Sequence, residues 1–250
     1  MLKVVAVHSF RGGTGKSNIT ANLALMLAST GKRVGIVDSD LQSPGIHVLF
    51  GLGQNDMHHT LNNYLWNQCK LKDVIYDVTP EVIRARQGTL VLVPGSYKLD
   101  EITRIVQEGY DITALGAAVN QMAEDWSLDY LFVDTHPGIS NESIMTMGLS
   151  DALFTIMRPD SQDFQGTAVA VDISRHLDIP RRWIIVNKVL SAMRPDQVKA
   201  SVEQSYSTPV AALLPACEEI MLLGSSGLFC LKHPKHEFTE GIKKIARLLL

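Results

Sequence analysis

Near the start of the chain, Phe10-Arg11-Gly12-Gly13-Thr14-Gly15-Lys16-Ser17 places three glycines, a lysine and a hydroxyl within six residues. Glycines let backbone N–H groups turn toward an anion. A lysine at a helix start reaches the outer phosphates of a nucleotide, and the hydroxyl beside it holds a divalent cation. The setting suits that chemistry. The apolar run Lys3–Ser9 reads as a strand entering the loop, and a helical pattern leaves it, adding a positive helix end to the site. Gly12, Gly13, Thr14, Gly15, Lys16, Ser17 and Asn18 are therefore the candidate phosphate-binding residues, with Ser17 also a candidate metal ligand. The ordinary spacing, G-x-x-x-x-G-K-[ST], has glycine where this chain has Phe10, and Arg11 adds a bulky cation to a loop that is usually small.

Three further stretches carry polar groups to strand ends. Ile36-Val37-Asp38-Ser39-Asp40 places carboxylates at i and i+2 beyond a strand, both facing one side. Tyr130–Asp134 ends an apolar run in an aspartate and continues Thr135-His136-Pro137-Gly138. Trp183–Val189 ends in Asn187-Lys188. A guanine site of the N-K-x-D type needs a carboxylate at position 190. Leu190 cannot accept from the guanine ring, so adenine is the expected base.

The loop resembles the deviant Walker A motif of the ParA/MinD ATPases, K-G-G-x-x-G-K-[ST], with Arg11 at the position of the signature lysine. The resemblance covers most of the chain. It implies a Mg-ATP-dependent, slowly hydrolysing switch that forms a homodimer with nucleotide at the interface. In that pattern Arg11 reaches across the dimer to the partner's phosphates, a role its bidentate fork suits. Lys16 binds phosphate, Asp38 lies near the Mg2+ shell, and Asp40 orients the attacking water. Asp134 is the Walker B aspartate serving Mg2+, Gly138 senses the γ-phosphate through its N–H, and Asn187 contacts adenine. The family's later Pro-x-Asp segment stands here as Pro215-Ala216-Cys217, without the aspartate. The first proline expected before Gly138 is His136, to which no chemistry is assigned. The implied task is positioning a cellular cargo under a regulatory partner protein. A metallocentre-maturation ATPase, or a ligase or synthetase on the same loop, is the alternative.

These residues need a scaffold. Seven short β-branched runs, at 3–9, 33–40, 89–96, 129–138, 152–159, 182–189 and 210–215, read as strands buried on both faces. Helix-length segments separate several of them. This predicts an α/β fold: a mostly parallel twisted sheet of about seven or eight strands, helices on both faces, in a single domain over 1–250. The Ser17–Lys32 helix is expected to stop at Gly31. Residues 41–88 are the least regular part.

The chain has 250 residues, 46% hydrophobic and 20% charged, with net charge −3. This suits a cytoplasmic protein and gives no chain-wide attraction to nucleic acid, so docking on nucleoid DNA is not supported. No apolar run is long enough to span a bilayer. Membrane-binding relatives carry an extra tail, whereas the pattern here ends in Phe238–Leu250. That segment has Phe238, Ile242, Ile245 and Leu249 on one face and is expected to pack on the sheet. Cys69, Cys217 and Cys230 form no C-x-x-C pair, which argues against a zinc knuckle or a shared iron–sulfur cluster. His58, His59, His233 and His236 have no cysteine or carboxylate set beside them in sequence and are read as solvated loop residues.

Overall fold

The structure is a computed structural model describing residues 3–53 and 55–250. Eight strands form one sheet: β1 Lys3–His8, β2 Arg33–Asp38, β3 Tyr76–Asp77, β4 Thr89–Val93, β5 Tyr130–Asp134, β6 Ala152–Met157, β7 Arg181–Val189 and β8 Val210–Pro215. Their order is β3-β4-β2-β5-β1-β6-β7-β8. Only β3 runs antiparallel to its neighbour, β4. The seven strands expected from the β-branched runs are all present. β3 was not foreseen, since two residues are too short to show a period of two.

Alternation along the strands explains the layers. Val5, Val7, Val34 and Ile36 face one side, where they pack with the first helix (Lys16–Ala28) and with Phe238, Ile242 and Ile245 of the closing helix (Glu237–Arg247). Val4, Val37, Val91, Val93, Leu131 and Val133 face the other side, against Leu115, Val119 and Met122 of the Ile112–Asp125 helix and Ile105 of the Leu99–Glu108 helix. The apolar face of the closing helix is thus consumed by the sheet, as its sequence pattern required, and Leu249 beyond it is also buried. Among the described residues no helix is long and apolar enough to cross a membrane.

The first helix ends at Ala28 rather than continuing toward Gly31, which takes a left-handed turn (φ 81°). Gly31 donates its N–H to Ala28 O at 3.0 Å, so it closes the turn after the helix. The parallel pairing places the carboxyl ends of β1, β2 and β5 side by side. Val7 and Asp38 are both register partners of Asp134, so the glycine loop, the D-x-D segment and the Asp134 strand end share one crevice.

Candidate functional site

The loop begins where β1 ends. Gly13 and Gly15 have φ of 74° and 95°, the left-handed region that favours glycine. At Gly15 a side chain is also excluded by space, because an added Cβ would lie 2.5 Å from Asn187 Nδ2. Asn187 Nδ2 donates to Thr14 O at 2.7 Å, and Lys188 Nζ donates to Gly13 O at 2.8 Å. These bonds tie the loop's carbonyls to the end of β7. Among the described residues, no backbone carbonyl accepts from the N–H groups of Gly12, Gly13, Thr14 or Gly15. A loop whose carbonyls are tied back and whose N–H groups are unbonded is an anion cradle.

Phe10 explains its own presence. Its ring lies against Gly166 in the Ser161–His176 helix, where an added Cβ would sit 2.0 Å from ring atom Cδ1. Phe10 therefore anchors the loop to that helix. Among the described residues, the Arg11 side chain bonds to the start of the Ser161–His176 helix. Its guanidinium donates to Gln162 Oε1, and its Nε is 4.0 Å from Asp163 Oδ1. Asp163 is already held by Arg158 through two side-chain hydrogen bonds of 3.0 Å and one backbone bond. The Arg11 side chain is 39% exposed, and an ion pair this exposed contributes about 0–1 kcal/mol. Its release toward another ligand costs little.

Beneath the loop, Lys16 Nζ lies 3.1 Å from Asp134 Oδ1 and 3.8 Å from Asp40 Oδ2. Burial opposes the ammonium charge, but Asp134, Asp40 and Asp38 outweigh it and hold Lys16 above its usual range. Asp38 is fully buried, with Oδ1 accepting from Asp40 N–H and Oδ2 from Gly45 N–H, each at 3.2 Å. Burial first, and the Asp134 carboxylate second, push its carboxyl well above the ordinary range. Asp134 Oδ2 is buried and has no hydrogen-bond partner. Two buried carboxylates facing each other, one with an unpartnered oxygen, fit a divalent cation, and Ser17 stands half-buried at the adjoining helix start.

Four contacts were not foreseen. His136 Nδ1 lies 2.7 Å from Asp40 Oδ1, so the ring donates and fixes that carboxylate. Thr20 Oγ1 also approaches Asp134 Oδ1, at 3.1 Å. It stands four residues after Lys16, on the same helix face, a spacing that could have revealed it. His8 sits under the loop with Nδ1 on Thr135 Oγ1 at 2.8 Å, and burial, then Lys16, lower it to about 3, so it is neutral. Gly138 (φ 85°) donates its N–H to Ser9 O at 2.9 Å. In this state that N–H is therefore engaged by the loop.

One sequence reading needs revision. His236 is not a solvated loop residue: it lies beside Cys217 and Glu219 and accepts the Phe238 N–H at the start of the closing helix. Leu190, at the position where a guanine-reading carboxylate would stand, is 54% exposed.

A glycine cradle after β1, a lysine at the following helix start and aspartates on the adjacent strand ends define a P-loop NTPase. The whole chain, residues 1–250, matches the family described as "ParA: NUBPL iron-transfer P-loop NTPase". The chain therefore belongs to the ParA family and is of the ParA/MinD deviant Walker A type. It is 26% identical to an uncharacterized ATP-binding protein of Methanocaldococcus jannaschii, MJ0547, over 100% of this chain and 88% of that protein. It is 29% identical to the flagellum site-determining protein YlxH of Helicobacter pylori, over 82% of this chain and 63% of that one. In fold it resembles the septum site-determining protein MinD of Pyrococcus horikoshii, solved with Mg-ADP, with TM-score 0.83 and 20% identity over 100% of this chain and 96% of that chain.

Proposed function

We propose that this chain is a Mg-ATP-dependent dimerising switch that hydrolyses ATP slowly and positions a cellular cargo or assembly. The observation that carries the reading is the convergence of Lys16, Asp38, Asp40 and Asp134 beneath a loop whose N–H groups are unbonded. The loop N–H groups and Lys16 bind the phosphates. Ser17, Asp38 and Asp134 would hold Mg2+, which would offset charge on the nucleotide's phosphates. Asp40, clamped by the His136 Nδ1–H, orients the attacking water. Arg11 leaves Gln162 and Asp163 to meet the nucleotide of a second copy.

The switch itself rests on Gly138. Its N–H now serves Ser9 O, and a γ-phosphate would compete for the same donor. Exchange of that partner would move the segment from Thr135 to the Asn141–Gly148 helix and change the surface shown to a partner protein. A role in metallocentre maturation is the second reading, favoured by the iron-transfer wording of the matched family. Reconstitution with iron and sulfide separates the two: a stoichiometric cluster in the purified dimer would favour maturation.

The base is expected to be adenine. In a competition titration with labelled ATP, unlabelled ATP should displace the label at concentrations at least about tenfold lower than GTP, the discrimination expected when a guanine-reading carboxylate is missing. Equal displacement by GTP would overturn the nucleotide assignment.

A further inference from the structure

At the edge of the sheet, the carboxyl end of β8 leads into a short helix, Glu218–Leu223, preceded by Cys217. The loop before the closing helix brings His236 to the same place. Cys217 Sγ lies 3.2 Å from Glu219 Oε2 and 3.7 Å from His236 Nε2, and His236 Nε2 lies 3.9 Å from Glu219 Oε2. We propose that Cys217, Glu219 and His236 form a zinc site with one open coordination position.

The geometry carries this. With zinc bonds of about 2.3 Å to sulfur and about 2.0–2.2 Å to nitrogen and oxygen, the edges of a tetrahedron are about 3.5 Å for sulfur to oxygen, about 3.6 Å for sulfur to nitrogen and about 3.3 Å for nitrogen to oxygen. The observed separations differ from these by about 0.1 Å for sulfur to nitrogen, about 0.3 Å for sulfur to oxygen and about 0.6 Å for nitrogen to oxygen, which rotation of the exposed Glu219 side chain covers. A thiolate, an imidazole and a carboxylate are a donor set zinc accepts, and three protein ligands leave the fourth position open. All three residues line a cleft of about 1070 Å³ that also includes Met221, Glu240 and Lys244. Water, or a thiolate or carboxylate brought by a ligand, can enter the fourth position from that cleft.

Without metal the three groups satisfy one another. Phe238 N–H donates to His236 Nδ1 at 3.0 Å, so Nε2 carries the ring proton and points it at Sγ, while the thiol donates to Glu219. Zinc replaces two of these protons. The thiol loses its proton to solvent, and the ring proton leaves Nε2 while Nδ1 takes one up. Phe238 N–H then loses its acceptor, so metal uptake is coupled to the first turn of the closing helix.

The test uses the full chain, stripped with chelator and free of nucleotide, with Co2+ as a spectroscopic stand-in for zinc. One Co2+ per chain is expected, with a thiolate-to-cobalt charge-transfer band in the near ultraviolet. Cys217→Ser should abolish the band. His236→Gln and Glu219→Gln should each weaken binding at least tenfold. Cys69→Ser, Cys230→Ser and Lys16→Ala should leave it unchanged. Glu219 is exposed, so Glu219→Gln keeps the test open if another variant fails to fold. With one equivalent of zinc, the His236 ring should switch from an Nε2 proton to an Nδ1 proton in a nitrogen-15 spectrum. Absence of stoichiometric binding by the wild type, a band that survives Cys217→Ser, or an Nε2 proton retained with zinc would each overturn the site.

Discussion

Lys16→Ala is expected to reduce ATP affinity at least about 100-fold, a loss of about 2.7 kcal/mol, while the chain stays folded. Lys16 is held between Asp134 and Asp40, and its charge is sustained by those acids against burial. With phosphate bound, the ammonium would exchange its carboxylate partners for phosphate oxygens, and Asp38 and Asp134 would be the residues to hold a divalent cation. Removing the lysine leaves the loop N–H groups in place, so weak binding persists, but the charge that offsets the outer phosphates is lost. Fold retention follows from the location. The apolar core around Leu23, Leu25 and Leu27 is built without the Lys16 ammonium, and the acids it leaves behind can take up protons. Isothermal titration with Mg-ATP, checked by circular dichroism, measures both parts. Unchanged affinity in a folded variant would remove the phosphate-loop assignment.

Asp40→Ala is expected to lower kcat at least about 100-fold, within the range for loss of a positioned acid–base group, while ATP affinity changes only a few-fold. One Asp40 oxygen accepts from His136 and the other faces Lys16 at 3.8 Å, longer than the Lys16–Asp134 contact. Its loss therefore leaves the principal lysine partner intact and removes the carboxylate fixed next to the phosphate position. His136→Ala should produce a smaller fall of about tenfold, because it frees Asp40 without removing it. His136→Asn should recover part of the rate, since its amide can still donate. Single-turnover and equilibrium-binding measurements separate the effects. A collapse of ATP affinity with normal turnover per bound ATP would give Asp40 a different role.

The phosphate loop was legible because its chemistry is compressed into consecutive residues in a strand-to-helix setting. Asp38, Asp40 and Asp134 were legible because apolar runs end on them, and the register of β1, β2 and β5 brings those ends together. What was missed depends on contacts across the chain. His136 meets Asp40 over 96 positions, and His8 meets Thr135 over 127. The helices Leu99–Glu108 and Ile112–Asp125 were not singled out because Gly109 breaks them and Gly116 interrupts the second, although Asp111 caps its start by accepting from Thr113 N–H. Likewise Cys217 and His236 are 19 positions apart with no C-x-x-C or H-x-x-x-H pair to mark either, and the packing of the closing helix against β8 joins them. Arg11 shows the converse. Its position in sequence suggests an outward reach, whereas in the single chain it rests on Gln162 and Asp163 through contacts weak enough to exchange.

The central proposal is a nucleotide-controlled dimer, and the mass of the particle in solution tests it most directly. By sedimentation, the Asp40→Ala chain should run near its monomer mass of 27.5 kDa with Mg-ADP and at twice that mass with Mg-ATP. Arg11→Ala introduced into the same background should return it toward the monomer while ATP remains bound. A single mass in both nucleotide states, with ATP shown to occupy the site, would contradict the proposal.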